Sequence, residues 1–79
     1  MNYIVMEIQT MDNGTIATLV TTKNSHNEPL TENEAESTYH SILAAAALSN
    51  LPCHAAVMMT GEGIPLQNRC YKHETPVEE

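Results

Sequence analysis

The chain has 79 residues and a net charge of −7, from ten acidic and three basic side chains, and it contains neither Trp nor Phe. A chain of this length forms a single domain with a marginal core, and such domains commonly need a disulfide, a metal or a partner subunit. Because three cations cannot neutralise a row of phosphates, we expect no binding to nucleic acid.

A β-hairpin is predicted at the start of the chain. The segments Tyr3–Gln9 (YIVMEIQ) and Thr15–Thr22 (TIATLVTT) are rich in β-branched and aromatic residues, which favour strands. The Asn13-Gly14 pair between them is the strongest short-range signal for a hairpin turn.

The sequence leaves two registers open for this hairpin. A two-residue turn would place Ile8 opposite Leu19, whereas a turn with Gly14 as a bulge would place Met6 opposite Val20. A slip of one residue exchanges the two faces of a strand. In both registers, apolar side chains remain on both faces.

A helix is predicted from about Glu34 to Ser49. Asn33 with Glu36 would form its N-terminal capping box, and Thr31 with Glu34 is the alternative. The spacing of apolar residues predicts the stripe that faces the sheet. That stripe consists of Ala35, Tyr39, Ile42, Leu43, Ala46 and Ala47.

The segment ILAAAAL, residues 42–48, is apolar on every side of this helix. The stripe toward the sheet leaves three of its side chains pointing outward, namely Ala44, Ala45 and Leu48. Alanine is the best helix former, so propensity alone accounts for the two alanines. Leu48 has no such explanation, and we expect a second subunit or a loop to cover this helix patch.

A second hairpin is predicted from Cys53–Thr60 and Ile64–His73, joined at Gly61–Gly63. A four-residue loop would pair Met59 with Ile64, Val57 with Leu66, and Cys53 with Cys70. Alternation then gathers an apolar row that we assign to the helix side: Cys53, Ala55, Val57, Met59, Ile64, Leu66 and Cys70. The reverse face carries His54, Ala56, Met58, Gln67, Arg69 and Tyr71, of which Ala56, Met58 and Tyr71 would form a contact surface.

These elements predict an α+β domain of ββαββ order. The expected architecture is a four-stranded antiparallel sheet made from two hairpins, with one helix packed on one face. The domain would span residues 1–74, and residues 75–79 would form a flexible acidic tail.

No catalytic, cofactor-binding or metal-binding residue is predicted. The Cys53-His54 pair and Cys70 with His73 suggest zinc ligands. However, neighbouring residues on a strand point to opposite faces, so these side chains diverge. Cys53 and Cys70 could form a disulfide in an oxidising setting, although two thiols are expected here. We therefore expect a protein that is not an enzyme.

Four segments between residues 3 and 74 resemble a class of small uncharacterised phage and prophage proteins of Gram-positive bacteria. They are YIVMEIQT, NEAESTYHSILAAAA, HAAVMMT and CYKHE. The resemblance implies a phage-related setting, as an accessory part of a particle or as a factor that acts on the host. No signal peptide and no apolar run of about 18 residues is present. The expected location is therefore the host cytoplasm or the virion, without membrane binding.

The sequence favours a non-enzymatic, self-associating interaction module that forms a homo-oligomer, most simply a dimer. Its role could be structural or in phage assembly, with a phage or host protein as a further partner. The observations behind this hypothesis are the thin core and the apolar faces of the strands. The alternative is an acidic inhibitor that occupies a basic site on a host protein that handles nucleic acid.

Overall fold

The computed structural model describes residues 2–72 and confirms the α+β, ββαββ architecture. Its elements are β1 (Tyr3–Thr10), β2 (Ile16–Thr21), α1 (Glu32–Leu48), β3 (Cys53–Thr60) and β4 (Pro65–Lys72). His73 and the predicted acidic tail lie outside the described residues. One antiparallel sheet holds all four of these strands, and α1 packs against it.

The strands lie in the order β2-β1-β3-β4, so the two hairpins meet side by side through β1 and β3. Because β2 and β3 each run antiparallel to β1, they are parallel to each other. The helix therefore makes a crossover between two parallel strands that have β1 between them. Such crossovers are right-handed in nearly all proteins, and the handedness determines which face of the sheet the helix covers.

The first hairpin adopts the bulged register, with Met6 opposite Val20. The N–H of Gly14 donates to the carbonyl of Met11 at 2.9 Å, and Gly14 has φ of 87°. A residue with a side chain is strained at that φ, which explains why glycine follows Asn13 here. The turn geometry thus selects between the two registers that the sequence allowed.

The helix begins with the alternative capping box, that of Thr31 and Glu34. The Glu34 N–H donates to Thr31 Oγ1 at 3.2 Å, and the Thr31 N–H donates to Glu34 Oε1 at 2.9 Å. Asn24, in the preceding loop, also donates to the Glu34 carboxylate at 3.1 Å. The hydrogen bond from the Thr31 backbone, followed by that from Asn24, lowers the pKa of Glu34 below its ordinary value.

The core lies between α1 and the central strands β1 and β3. Its buried side chains are Val5, Leu30, Ala35, Tyr39, Ala56 and Met58, with Tyr3, Ile42 and Leu43 packed against them. Among residues 2–72, Met58 and Val5 are the largest side chains that are fully buried. Ala46 is also buried, as predicted, but Ala47 is exposed, because it lies just beyond the side of the helix that meets the sheet.

The prediction of which sheet face meets the helix was wrong. The side chains of His54, Ala56 and Met58 are buried under α1, while those of the alternate β3 positions are only partly buried. The more apolar face of β3 therefore points away from the helix. Crossovers between parallel strands have a strongly preferred hand, which favours one face of the sheet for a given strand order whatever the relative hydrophobicity of the two faces.

The predicted register of the second hairpin was also wrong. Thr60 and Ile64 are joined by a backbone hydrogen bond of 2.9 Å around a three-residue loop in which Gly63 has φ of 89°. A bulge then shifts the register between Met58 and Met59. The resulting partners are Met59 with Pro65, Val57 with Asn68, Ala55 with Cys70, and Cys53 with Lys72.

Candidate interaction surface

The face of the sheet opposite the helix is mostly apolar, and no described element covers it. We call it the open face, and assign its members from the strand pairing and the alternation of side chains. They are Ile4, Met6, Ile8 and Thr10 on β1; Ile16, Thr18 and Val20 on β2; Cys53, Ala55, Val57 and Met59 on β3; and Pro65, Asn68, Cys70 and Lys72 on β4.

The open face is more exposed on its edge strand than at its centre, and it carries almost none of the charge of the chain. The residues of its central strands are half-buried by their neighbours, whereas Ile16 and Val20, on the edge strand β2, are 64% and 49% exposed. Among the residues described, Lys72 is the one charged member, and no carboxylate lies on this face. The surface is therefore a nearly uncharged apolar layer on a chain of net charge −7.

The predicted helix patch is exposed. Ala44 and Ala45 face solvent, and Leu48 is 87% exposed at the last helical residue. The expectation that a loop covers this patch was wrong for the described part of the chain, because α1 runs along the sheet with its other side outward. Covering by a second subunit stays a prediction.

Two of the three sheet residues predicted as a contact surface are core residues instead. Ala56 and Met58 are 0% and 1% exposed, because α1 lies directly over them. Tyr71 is half-buried on the same face of the sheet, with the Arg69 guanidinium 5.1 Å from its ring centroid. These residues were correctly grouped on one face, but that face is the one that the helix occupies.

A small polar cluster lies on the helix side of the sheet, at the ends of β1 and β3. The Nε2 of His54 lies 2.6 Å from Oε2 of Glu7, and Gln9 donates to the same oxygen at 3.3 Å. His54 is 3% exposed, and its Nδ1 has no hydrogen-bond partner among the described residues. The sequence analysis missed this cluster, and the alternation of Glu7 and Gln9 within the apolar segment YIVMEIQT is the signal that could have revealed it.

The two cysteines lie on the open face at one end of β3 and β4. Their Sγ atoms are 2.9 Å apart although Cys53 is paired with Lys72 and Cys70 with Ala55, so they are diagonal neighbours. Both are free thiols. The hydrogen bond with Cys53, together with burial, raises the pKa of the Cys70 thiol above its ordinary value.

Within residues 2–72, no three His, Cys, Asp or Glu side chains come together as metal ligands, and α1 does not have the length and hydrophobicity to cross a membrane. Comparison with known protein families, with curated proteins and with solved structures found no match. The arrangement of side chains in this chain is therefore the basis for any assignment of function.

Proposed function

We propose that this protein is a non-enzymatic, self-associating module in which two copies pack their open faces together. The observation that carries this proposal is the apolar face of the sheet that lies opposite α1. In the phage-related setting that the sequence resemblance implies, such a module would be a structural or assembly accessory component.

The composition of the open face supports a buried contact. An antiparallel sheet with one face in solvent normally alternates apolar residues on the core side with polar residues on the solvent side. Here the solvent side of β1 carries Ile4, Met6 and Ile8, and that of β3 carries Val57 and Met59. Contiguous apolar patches of this kind on small proteins commonly mark interaction sites.

The charge distribution supports a second copy as the occupant. Two chains of net charge −7 repel each other, and like charges brought together in an interface oppose association strongly. The open face has no carboxylate among its described members, so two open faces can meet without opposing negative groups. Asp12 and Glu62 lie instead on the turns at opposite ends of the sheet.

The dimensions of the face suit a small dimer. Four strands spaced about 4.8 Å apart and about eight residues long cover roughly 19 by 26 Å, or about 500 Å² in projection. The relief of the side chains raises the accessible area toward the roughly 800 Å² that each partner contributes to a standard interface. Two sheets packed in this way would lie about 10 Å apart, with one helix on each outer side.

A matched pair of variants on β2 tests the proposal. Val20 lies on the open face and Leu19 on the opposite face of the same edge strand, and both are largely exposed in the single chain. Sedimentation velocity at micromolar concentration should show a dimer for the natural chain and for Leu19→Lys, and a monomer for Val20→Lys. Circular dichroism confirms that both variants fold.

Two outcomes of this experiment would contradict the proposal. A natural chain that sediments as a monomer at all accessible concentrations would show that the open face does not self-associate. Equal loss of the dimer in Val20→Lys and Leu19→Lys would show that the effect comes from the added lysine and is independent of the face that carries it.

A further inference from the structure

The two cysteine side chains are arranged so that one bond could join β3 to β4. Their sulfur atoms are 2.9 Å apart, and a disulfide has an S–S distance of about 2.04 Å, so closure requires a sulfur displacement of about 0.9 Å. Cys70 is exposed on the edge strand and Cys53 is half-buried on the neighbouring strand. In the single chain a reagent in solution can therefore reach Cys70, while Cys53 lies within contact distance of it.

We propose that Cys53 and Cys70 form a dithiol site that a low-molecular-weight disulfide oxidises to an intrachain disulfide. This inference goes beyond the proposed function, and because both cysteines lie on the open face, the reaction takes place on chains that are not associated through that face. Oxidation would fasten the edge strand β4 to β3 at the end of the hairpin that is farther from its turn and its bulge.

The reaction takes place in two thiol–disulfide exchange steps. At an alkaline pH, which offsets the raised pKa of the Cys70 thiol, the Cys70 thiolate attacks one sulfur of the reagent, whose S–S bond breaks and releases one small thiolate. Cys53, as a thiolate, then attacks the Cys70 sulfur of the mixed disulfide and displaces the second small thiolate. Two protein thiols are oxidised, one reagent disulfide is reduced to two thiols, and the protons of the protein thiols pass to these products.

The experiment incubates the purified, reduced chain with glutathione disulfide and measures intact mass and free thiols after quenching with acid. The natural chain should lose two hydrogens and both thiols without retaining a glutathionyl group. Cys53→Ser and Cys70→Ser each lack the second thiol, so each should stop with one glutathionyl group attached. Serine is close in size to cysteine at these partly exposed positions, and circular dichroism checks that the variants fold.

A second readout measures the consequence for the fold. A disulfide that encloses the whole second hairpin should raise the melting temperature of the oxidised chain by about 10 °C over the reduced chain. The oxidant should leave the melting temperature of the Cys53→Ser/Cys70→Ser variant unchanged. An oxidised chain that melts at the same temperature as the reduced chain would contradict the role assigned to this bond.

Two further outcomes would overturn the site itself. One is a natural chain that keeps glutathionyl groups at the end of the reaction, and the other is a disulfide between chains on a non-reducing gel. Mass and thiol count are read on individual chains, but association through the open face would cover both cysteines and slow the reaction of the natural chain. Repeating them on Val20→Lys separates a failure of the dithiol site from a failure of the proposed function.

Discussion

His54 on β3 and Glu7 on β1 form a contact across the two central strands, with 2.6 Å between Nε2 and Oε2. The imidazole is 3% exposed and the Glu7 side chain 18% exposed, so α1 and the sheet shield the pair from water. A shielded polar pair adds to stability only while both partners are present, because each compensates the desolvation of the other. The pair therefore links the two hairpins and constrains what can replace either residue.

The first prediction concerns this pair. Glu7→Leu or His54→Leu alone should each lower the free energy of unfolding by about 1–3 kcal/mol, because the remaining polar group loses its partner. The double variant should lose less than the sum of the two, with a coupling of about 1 kcal/mol. Urea unfolding of the natural chain, the two single variants and the double variant completes this double-mutant cycle. Strictly additive losses of unfolding free energy would contradict the coupling.

The second prediction concerns the capping box at the start of α1. Thr31→Ala should cost about 1 kcal/mol, whereas Thr31→Ser, which keeps the accepting hydroxyl, should cost much less. Urea unfolding followed by far-ultraviolet circular dichroism, which reports helix content, gives both values. Equal losses in the two variants would indicate that the hydroxyl of Thr31 does not cap the helix.

The third prediction is the pH dependence that Glu34 contributes. Its pKa is lowered in the folded chain by the hydrogen bonds from Thr31 and Asn24. A carboxyl group of this kind binds a proton less readily when folded than when unfolded, so it stabilises the fold above its unfolded pKa. That contribution is lost as the pH falls through the folded-state pKa.

The difference in unfolding free energy between the natural chain and Glu34→Gln should therefore shrink as the pH is lowered from about 7 to about 3. Urea unfolding across this range makes the measurement. Glu32→Gln, which removes a first-turn carboxylate outside the capping box, is the matched control. A difference that stays constant with pH would rule out this role for Glu34.

The fourth prediction uses salt to separate the two hypotheses about partners. Salt screens the repulsion between two chains of net charge −7, so association through the open faces should tighten between about 50 mM and 500 mM NaCl. A complex of an acidic inhibitor with a basic protein should weaken over the same range. Sedimentation equilibrium of the purified chain tests the first trend, and a dimer weakened by salt would contradict it.

The fifth prediction concerns Leu48 in the helix patch. Leu48→Lys should change the free energy of unfolding by less than about 0.5 kcal/mol, because the side chain is 87% exposed. It should also leave the dimer of the open faces intact, since α1 lies on the other side of the sheet. Loss of the dimer in this variant would place the interface on the helix patch.

Several features of the fold follow from local sequence patterns. Period-two alternation correctly grouped His54, Ala56 and Met58 on one face of β3, because successive side chains of any strand point to opposite faces. The bounds of β3 and the presence of two hairpins and one helix also follow from local propensity. Leu48 was correctly placed on the outer side of the helix, since the helical period of 3.6 residues is a property of the segment itself.

Other features depended on contacts between distant segments. Two capping boxes satisfied the local rule equally well, and the observed one has an added hydrogen bond from Asn24, which is ten residues from Glu34 along the chain. The bulge in β4 gave each open-face residue of that strand a partner other than the predicted one. The shifted register also moves Cys70 from the position opposite Cys53 to a diagonal one, and their Sγ atoms still lie 2.9 Å apart.

The sequence alone therefore determined which side chains of one strand share a face and the approximate position of each strand, turn and helix, because alternation, turn chemistry and propensity act within a few residues. Which face receives the helix was settled at the level of the whole sheet. The order β2-β1-β3-β4 places β1 between two parallel strands, and the helix that connects those strands lies over Ala56 and Met58. The more apolar face was left open, and that arrangement is the basis of the proposed association.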